Sequence, residues 1–572
     1  MPTPPNWPNL PAMMLTLART WPDRPMLRVF RDGAWQHVTW GAFGRASASV
    51  ARGLTAAGVA PGDRVLIVAE NRPEYPIAET ALMAIRAVPV PAYVTNTVED
   101  HAHLLRDSGA KAAIVSSAAL ADRVREAGAR AGGLDLLVVM DGAAEAGGGR
   151  PRLLPWRVLA ADTASADDVA LAADAIPPDT LACLLYTSGT GGAPRGVMLA
   201  HRSILSNCRG AEVLVRPLRL GAQDVYLSYL PTAHSYEHTV GLFFLPGLGV
   251  EIAYARGVEH LAADMLSVRP TLMAAVPRVL EAIRARVQGQ LTRQPAWRRS
   301  LFDRALAIGE KRLDHVPLGL GERLADPLLD RVVRARVRAR FGGRIKAIMS
   351  GGARLDPDVG RFFLALGLPV MQGYGQTEAG PVISANPPEA IRIATVGPAL
   401  QGVTLRLAED NEILVRGDLV MDGYWGRPED TAATVRDGWL HTGDIGALDA
   451  DGYLTITDRK KDMIVLSGGE NVSPAKIEGM LTAEPEIAQA VVAGDGRAGL
   501  AALVVPAEGQ DEIGVAVALS RVNMRLSVTE RIRKHAIVPP FTLENGLLTP
   551  SHKVRRLLVL RENAEALARL HG

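Results

Sequence analysis

One segment of this 572-residue chain leaves little freedom in what surrounds it. The apolar run LACLLYTS (181–188) passes without a break into Ser188, Gly189, Thr190, Gly191 and Gly192, then Ala193, Pro194, Arg195 and Gly196. Glycines let successive backbone N–H groups turn inward on an anion, and the hydroxyls of Thr187, Ser188 and Thr190 add further donors. Arg195 supplies a positive charge beside them. No Gly-Lys-Ser/Thr follows at the spacing of a Walker A loop, so the segment is a different kind of phosphate cradle. A glycine-rich turn alone is weak evidence for phosphate, but the full order of hydroxyls, glycines, proline and a base, launched from a buried strand, is far more specific.

The surrounding pattern agrees. Apolar, β-branched runs at 64–70, 111–117, 134–140, 181–188, 224–230 and 344–352 alternate with helical stretches, which predicts βαβ units and a largely parallel sheet. The Ala/Gly/Asp-rich segment 141–178 reads as a loop excursion. From Gly397 to Thr457 the pattern changes to short strands and turns, which predicts a small β-barrel-like subdomain. From Asp458 to the end, short strands mix with two helical pieces. The expected fold class is therefore α/β. A large N-terminal domain (1–457) holds βαβ subdomains over about 1–396 and the β subdomain over about 397–457. A small α+β C-terminal domain covers 458–572. The segment 291–344 is helical and arginine-rich. Leu324, Leu328, Val332, Val333, Val337 and Phe341 are expected on one stripe, with Arg331, Arg334 and Arg338 on a solvated opposite face. Attraction of those arginines to anionic lipid or acyl substrate is the sharper alternative.

Bulk numbers exclude several classes. A net charge of +2 gives no electrostatic case for nucleic acid. Two cysteines, Cys183 and Cys208, do not make a disulfide scaffold and fit a reducing compartment. The N-terminal residues do not read as a signal peptide, and the stretch 242–255 is too short and glycine-broken to span a bilayer. A cytoplasmic protein, or one peripheral to the inner face of a membrane, is expected. The sequence does not reveal the oligomeric state. Only 8 of the 63 basic residues are lysines. A lysine that persists in such a chain marks a place where arginine does not serve equally well.

The segment YTSGTGGAPRG resembles the phosphate loop of the AMP-forming acyl-CoA synthetases of the adenylate-forming superfamily, whose usual spelling is YTSGTTGxPKGV. Gly191 and Arg195 replace a threonine and a lysine of that spelling. The resemblance recurs in order along almost the whole chain. SGGARLDP (350–357) ends a strand in the paired glycines Gly351 and Gly352, which would let a flat base or an acyl chain approach the backbone, and Gly352 and Ala353 are the cofactor-binding candidates there. QGYGQTEAG (372–380) resembles the YGxTE motif. The resemblance implies that Tyr374, between Gly373 and Gly375, stacks on adenine, that Thr377 touches the α-phosphate, and that Glu378 holds Mg²⁺, with Thr190 as a further metal candidate. WLHTGDIG (439–446) would present Asp444 to the ribose hydroxyls. TDRKKDMIVLSGGENVSP (457–474) implies Arg459 at ribose or phosphate, Lys461 at a hinge about which a mobile C-terminal domain turns, and Gly468 along the route of the pantetheine arm.

NGLLTPSHKVRR (545–556) resembles the long-chain form of the last family motif and implies that Lys553 is the catalytic lysine. It would bridge the attacking carboxylate and the α-phosphate, a task suited to a compact, mobile ammonium. LPTAHSYEHTVG (230–241) implies His234 as a gate to the acyl channel, with a purely structural histidine as the equal alternative. The implied reaction is ATP-dependent conversion of a long-chain fatty acid to acyl-AMP and then to its CoA thioester, with ATP, Mg²⁺ and CoA as the small molecules. Loading of an acyl carrier protein and ligation of a medium-chain or aryl acid remain open, and a binding module without turnover is the reading from another class.

Overall fold

The structure is a computed structural model and describes residues 6–142, 150–161, 166–187, 193–468, 470–549 and 553–571. The apolar runs become strands buried on both faces, as expected where helices cover a parallel sheet. An eight-stranded sheet has the order Val382–Ala385, Val370–Gly375, Ala347–Ser350, Leu272–Ala275, Val225–Ser228, Glu251–Tyr254, Pro25–Arg31 and Ala34–Thr39. Its interior pairs are parallel, and an antiparallel strand closes each edge. A second, all-parallel sheet of five strands has Arg64–Val68 and Ala112–Val115 near its centre. A three-stranded antiparallel sheet, Gly423–Tyr424, Gly196–Ala200 and Leu181–Tyr186, carries the phosphate loop. One apolar core joins these layers.

The small β unit is a five-stranded antiparallel sheet built from Thr404–Leu407, Glu412–Arg416, Val435–Arg436, Trp439–Leu448 and Leu454–Arg459. Beyond it, Ile487–Ala493, Leu500–Pro506 and Ile532–Ile537 form a three-stranded sheet covered by helices. Their apolar side chains pack into two clusters composed entirely of residues from Ile464 onward. The architecture is thus the expected α/β arrangement of a large N-terminal part and a small α+β C-terminal part. Among the described residues no helix is long and apolar enough to cross a membrane.

Three local expectations are corrected. The segment 141–178 is not a plain loop. Arg152–Pro155 joins the five-stranded sheet in parallel with Leu136–Val139, and helices follow at Trp156–Ala160 and Ala166–Asp174. Alanine, read as a loop signal in that composition, is also the strongest helix former, and Ala170, Ala173 and Ile176 bury against Leu15 and Ala84.

The stripe in the arginine-rich region is out of phase in its first half. A π-turn at Asp330–Arg334 inserts a residue into the helix. The inward row of Val333, Val337 and Phe341 continues back at ordinary helical spacings of four and three residues to Leu329 and Asp326, while Leu324 and Leu328 are 83% and 63% exposed. Arg334, expected in solvent, is buried, pairs with Asp326 at 2.7 Å and donates to the Ala305 carbonyl. The C-terminal part also has more helices than the two expected, at Pro474–Thr482, Glu512–Met524, Arg556–Glu562 and Ala564–His571.

Candidate active site

The strand Leu181–Tyr186 pairs with Gly196–Ala200, so the phosphate loop is a hairpin connection whose two ends lie side by side. Thr187 N–H donates to the Arg195 carbonyl at 3.1 Å, and Arg195 N–H donates to the Thr187 hydroxyl at 3.4 Å. These bonds close the loop at its base. Its interior, Ser188, Gly189, Thr190, Gly191 and Gly192, lies outside the described residues. Tyr186 anchors the feeding strand by donating to Asp107 at 2.8 Å, and Arg427 reaches the same carboxylate at 3.0 Å.

A cavity of about 900 Å³ opens next to this hairpin, between the large and small parts of the molecule. Tyr374 emerges at the end of Val370–Gly375 and donates to Asp444 Oδ2 at 2.5 Å. Asp444 faces Arg459 across the antiparallel pair, and Arg459 Nε donates to its other oxygen at 3.1 Å. Burial and the neighbouring Asp444 carboxylate push the Tyr374 hydroxyl well above its ordinary range. Each Asp444 oxygen keeps a further lone pair for an incoming hydroxyl.

Thr377 and Glu378 sit on the next turn. Thr377 donates to the Ser235 hydroxyl at 3.2 Å, and Glu378 accepts the Tyr424 hydroxyl at 2.8 Å. Gly352, Ala353, Gly373 and Gly375 all line the cavity. Two of these glycines also have neighbours that explain them. A Cβ on Gly375 would fall on the Pro381 carbonyl, and one on Gly373 would meet Ser384 O at 3.2 Å. Gly352, at φ +80°, faces open space.

The small part contributes Lys553. A bridge between Leu548 and Val554 and the bond from Thr549 N–H to the Lys553 carbonyl at 2.8 Å fold its segment back on itself. The ammonium lies in the cavity, where burial and the nearby Arg459 charge lower its pKa below the usual 10.5. His234, which caps the helix Ser235–Thr239 by accepting from Tyr236 N–H at 3.2 Å, is held to about 4 by burial and by Lys553, and so is neutral. The structure therefore brings Thr187, Arg195, His234, Tyr374, Thr377, Glu378, Asp444, Arg459, Lys461 and Lys553 to one cavity.

The two adjacent lysines separate in role. Lys460 pairs with Asp410 at 2.6 Å and Glu412 at 3.0 Å in the β unit, while Lys461 faces the cavity and burial lowers its pKa. They stand in the turn Lys460–Met463, where Lys460 N–H donates to the Gly443 carbonyl and Asp462 and Met463 N–H to that of Arg459. Gly468 is not brought to the cavity; it is exposed and lies against the Glu470 carboxylate. The sequence reading passed over Tyr424, since a tyrosine in the turn DGYWG carries no distinguishing spacing.

From this polar half an apolar branch runs past Tyr236 and between Val215, Leu218, Val240, Phe244 and Met349. Among the described residues no cluster of three or more His, Cys, Asp or Glu side chains is placed to hold a metal on its own. Glu378, buried and with one oxygen committed to Tyr424, fits a magnesium ion that takes one protein carboxylate and completes its shell with phosphate oxygens and water.

Residues 16–425 match the family model described as AMP-binding enzyme, and 461–570 match the AMP-binding enzyme C-terminal domain. The chain belongs to the AMP-binding enzyme family. It is 31% identical to the long-chain-fatty-acid–CoA ligase FadD15 of Mycobacterium bovis over 99% of this chain and 97% of that protein. It is 29% identical to the peroxisomal long chain acyl-CoA synthetase 6 of Arabidopsis thaliana, over 94% of this chain and 82% of the other. Among solved structures, O-succinylbenzoate coenzyme A synthetase of Bacillus subtilis, in complex with ATP and magnesium ion, has the same fold. Its TM-score is 0.71 at 22% identity, over 96% of this chain and 98% of that one.

Proposed function

We propose that this AMP-binding enzyme converts a long-chain fatty acid, ATP and CoA into acyl-CoA, AMP and pyrophosphate through an acyl-AMP intermediate. The observation that carries the proposal is the convergence of Lys553 from the small part with Tyr374, Glu378 and Asp444 of the large part, at the head of an apolar branch. Adenine stacks on Tyr374 and the ribose hydroxyls donate to Asp444. Thr377 meets the α-phosphate, and the hairpin ending at Arg195 holds the leaving pyrophosphate. Glu378 would hold magnesium, which would supply charge neutralisation on the phosphates. Lys553 lies between the fatty carboxylate and the α-phosphate, where negative charge accumulates as the carboxylate oxygen bonds to phosphorus and pyrophosphate departs. The acyl chain follows the apolar branch past neutral His234, and each buried methylene contributes about 0.8 kcal/mol.

In the second step the small part, from about residue 458 on, rotates at Lys461. Gly468 then comes to line the pantetheine route, and the CoA thiolate attacks the acyl carbonyl. AMP leaves with the bonding electron pair on its phosphate oxygen. The neutral, desolvated His234 favours an apolar chain beside it over a second carboxylate. ATP–pyrophosphate exchange across fatty acids of graded length tests the first step. Rates that rise with chain length to a maximum are expected, and exchange confined to short or aryl acids would overturn the substrate class. Thioester formation with CoA, compared with a holo-carrier protein, decides the acceptor.

The helix Leu320–Leu329 supports a peripheral membrane contact. Leu320, Leu324 and Leu328 form one exposed row, with Trp297 also 60% exposed and Arg298, Arg299, Arg323 and Arg331 at the surface nearby in sequence. Exposed apolar groups flanked by arginines suit an anionic lipid surface. Sedimentation with vesicles that requires anionic lipid is the expected result.

A further inference from the structure

The phosphate loop departs from its family spelling at Arg195, and the structure gives that arginine a partner far away in sequence. The strand Gly423–Tyr424 pairs with Gly196–Ala200, setting Tyr424 opposite Val197. The Arg195 guanidinium carbon lies 4.0 Å from the centre of the Tyr424 ring, and its Nη2 donates to the Tyr424 hydroxyl at 3.1 Å. That hydroxyl donates in turn to Glu378 Oε1 at 2.8 Å. The turn around Tyr424 is stitched to both sides of the site. Trp425 N–H donates to the Gly196 carbonyl at 2.8 Å and Met421 N–H to the Glu378 carbonyl at 3.0 Å. Tyr424 is 3% exposed, and its backbone N–H is held by Thr431 at 2.9 Å.

We infer that Tyr424 is a positioning residue for Glu378, and that Arg195, through Tyr424, couples the phosphate grip to the metal-holding carboxylate. The inference rests on the proposed role of Glu378. The tyrosine hydroxyl has one hydrogen, and giving it to Oε1 fixes the carboxylate plane and leaves Oε2 for the metal. Arg195, together with Thr434, donates to the hydroxyl oxygen, so the hydrogen stays directed at Glu378. A guanidinium both covers the ring face and donates from its edge, and an ammonium on a flexible stem does not do both at once. In this chain arginine is therefore the functional spelling, and restoring the family lysine is a loss.

The test is a double-mutant cycle with Tyr424→Phe, Arg195→Lys and their combination, with Glu378→Gln as reference. Two quantities are read: Mn²⁺ binding to the enzyme–ATP complex by electron paramagnetic resonance, and the Mg²⁺ concentration giving half-maximal ATP–pyrophosphate exchange. Removing a partner that orients a metal ligand weakens metal affinity about 10–100-fold. Tyr424→Phe is expected to weaken Mn²⁺ binding about 10-fold, with KM for the fatty acid and the melting temperature near wild type. Arg195→Lys is expected to weaken it about 3–10-fold, and the double variant no more than Tyr424→Phe alone. Unchanged Mn²⁺ binding in Tyr424→Phe, or effects of the two variants that multiply, would overturn the coupling. Arg195→Lys, at a partly exposed position, carries the same test should Tyr424→Phe fold poorly, and wild-type Mn²⁺ binding in it overturns the inference. If Glu378→Gln itself binds Mn²⁺ and exchanges normally, the assignment of Glu378 is what fails. If Glu378→Gln loses both while Tyr424→Phe keeps both, only the present inference falls.

Discussion

Asp444 and Lys553 bring opposite charges into one cavity and are held there by different means. Asp444 lies in the longest strand of the β unit, and its two oxygens accept from Tyr374 and Arg459, residues of two other strands. The Lys553 backbone is fixed by Thr549, yet among the described residues its ammonium has no hydrogen-bond or ion-pair partner. It is desolvated beside Arg459 and His234, and its pKa is lowered accordingly. An acceptor fixed by the fold would, in its proposed role at the ribose, serve every nucleotide state alike. A cation without a hydrogen-bond or ion-pair partner among the described residues would gain most, in the proposed reaction, when the carboxylate and phosphate supply the opposing charge, concentrating its interaction in the transition state.

The largest effect that would break this comparison is at the lysine. Lys553→Ala is expected to lower adenylate formation at least about 10³-fold. Conversion of preformed acyl-AMP by CoA should change only a few-fold in single-turnover assays. An equal fall in both steps would show that the lysine is not confined to the first. The lowered pKa also has a sign: the ammonium is lost as pH rises through a value below 10.5. The adenylation rate should therefore show a basic limb earlier than a free lysine would give. Lys553→Arg should be slow but lack that limb.

A second buried charge sharpens the contrast from the stability side. Glu237, 1% exposed, accepts from Tyr226 at 2.7 Å and Ser228 at 2.6 Å, yet burial still raises its pKa to about 7 from 4.5. Between those values the folded protein holds a proton that the unfolded chain releases, so stability falls as pH rises through that window. Glu237→Gln should remove this dependence, a difference on the order of 3 kcal/mol between pH 4 and pH 8, read by denaturant unfolding. A variant that keeps the wild-type slope would exclude Glu237 as its source.

Next in size is Asp444→Asn. Loss of a charged acceptor for the ribose should raise KM for ATP about 10-fold with kcat nearly unchanged, since the contact is made equally in ground and transition states. A fall in kcat alone would place Asp444 with Lys553 rather than opposite it. The smallest effect is expected from Leu324→Glu with Leu328→Glu. Vesicle binding should drop a few-fold while exchange with soluble substrate is unaltered.

Much of the site was legible in the sequence because each motif is local. Tyr374 through Glu378 and Asp444 stand in short segments whose residue order is itself distinctive. What escaped is what depends on distant partners. Tyr424 reaches Glu378 across 46 residues and Arg195 across 229, and the pairing of strands that joins them leaves no mark on spacing. The same is true of His238 and Glu79, fully buried against each other 159 residues apart. The exposed leucines were misplaced for a different reason. Leu328 and Leu324 stand five and nine residues before Val333, spacings that fall on another face of a helix, whereas Leu329 and Asp326 stand four and seven before it and share its face.

The turn Lys460–Met463 has a mechanical consequence. It holds only about eight soft backbone torsions, and every residue after it, Lys553 included, is carried on them. The rotation proposed there would require no strand to unzip. It disturbs a few hydrogen bonds of about 1 kcal/mol each, while Lys460 remains clamped to the β unit as the stationary side of the joint. Lys461 and Lys553 line the same cavity, so the rotation proposed at Lys461 would carry the ammonium along with the rest of the small part. Under the rotation proposed above, withdrawal of the lysine and admission of the thiol would be one movement, and the order of the two chemical steps would follow from a four-residue turn.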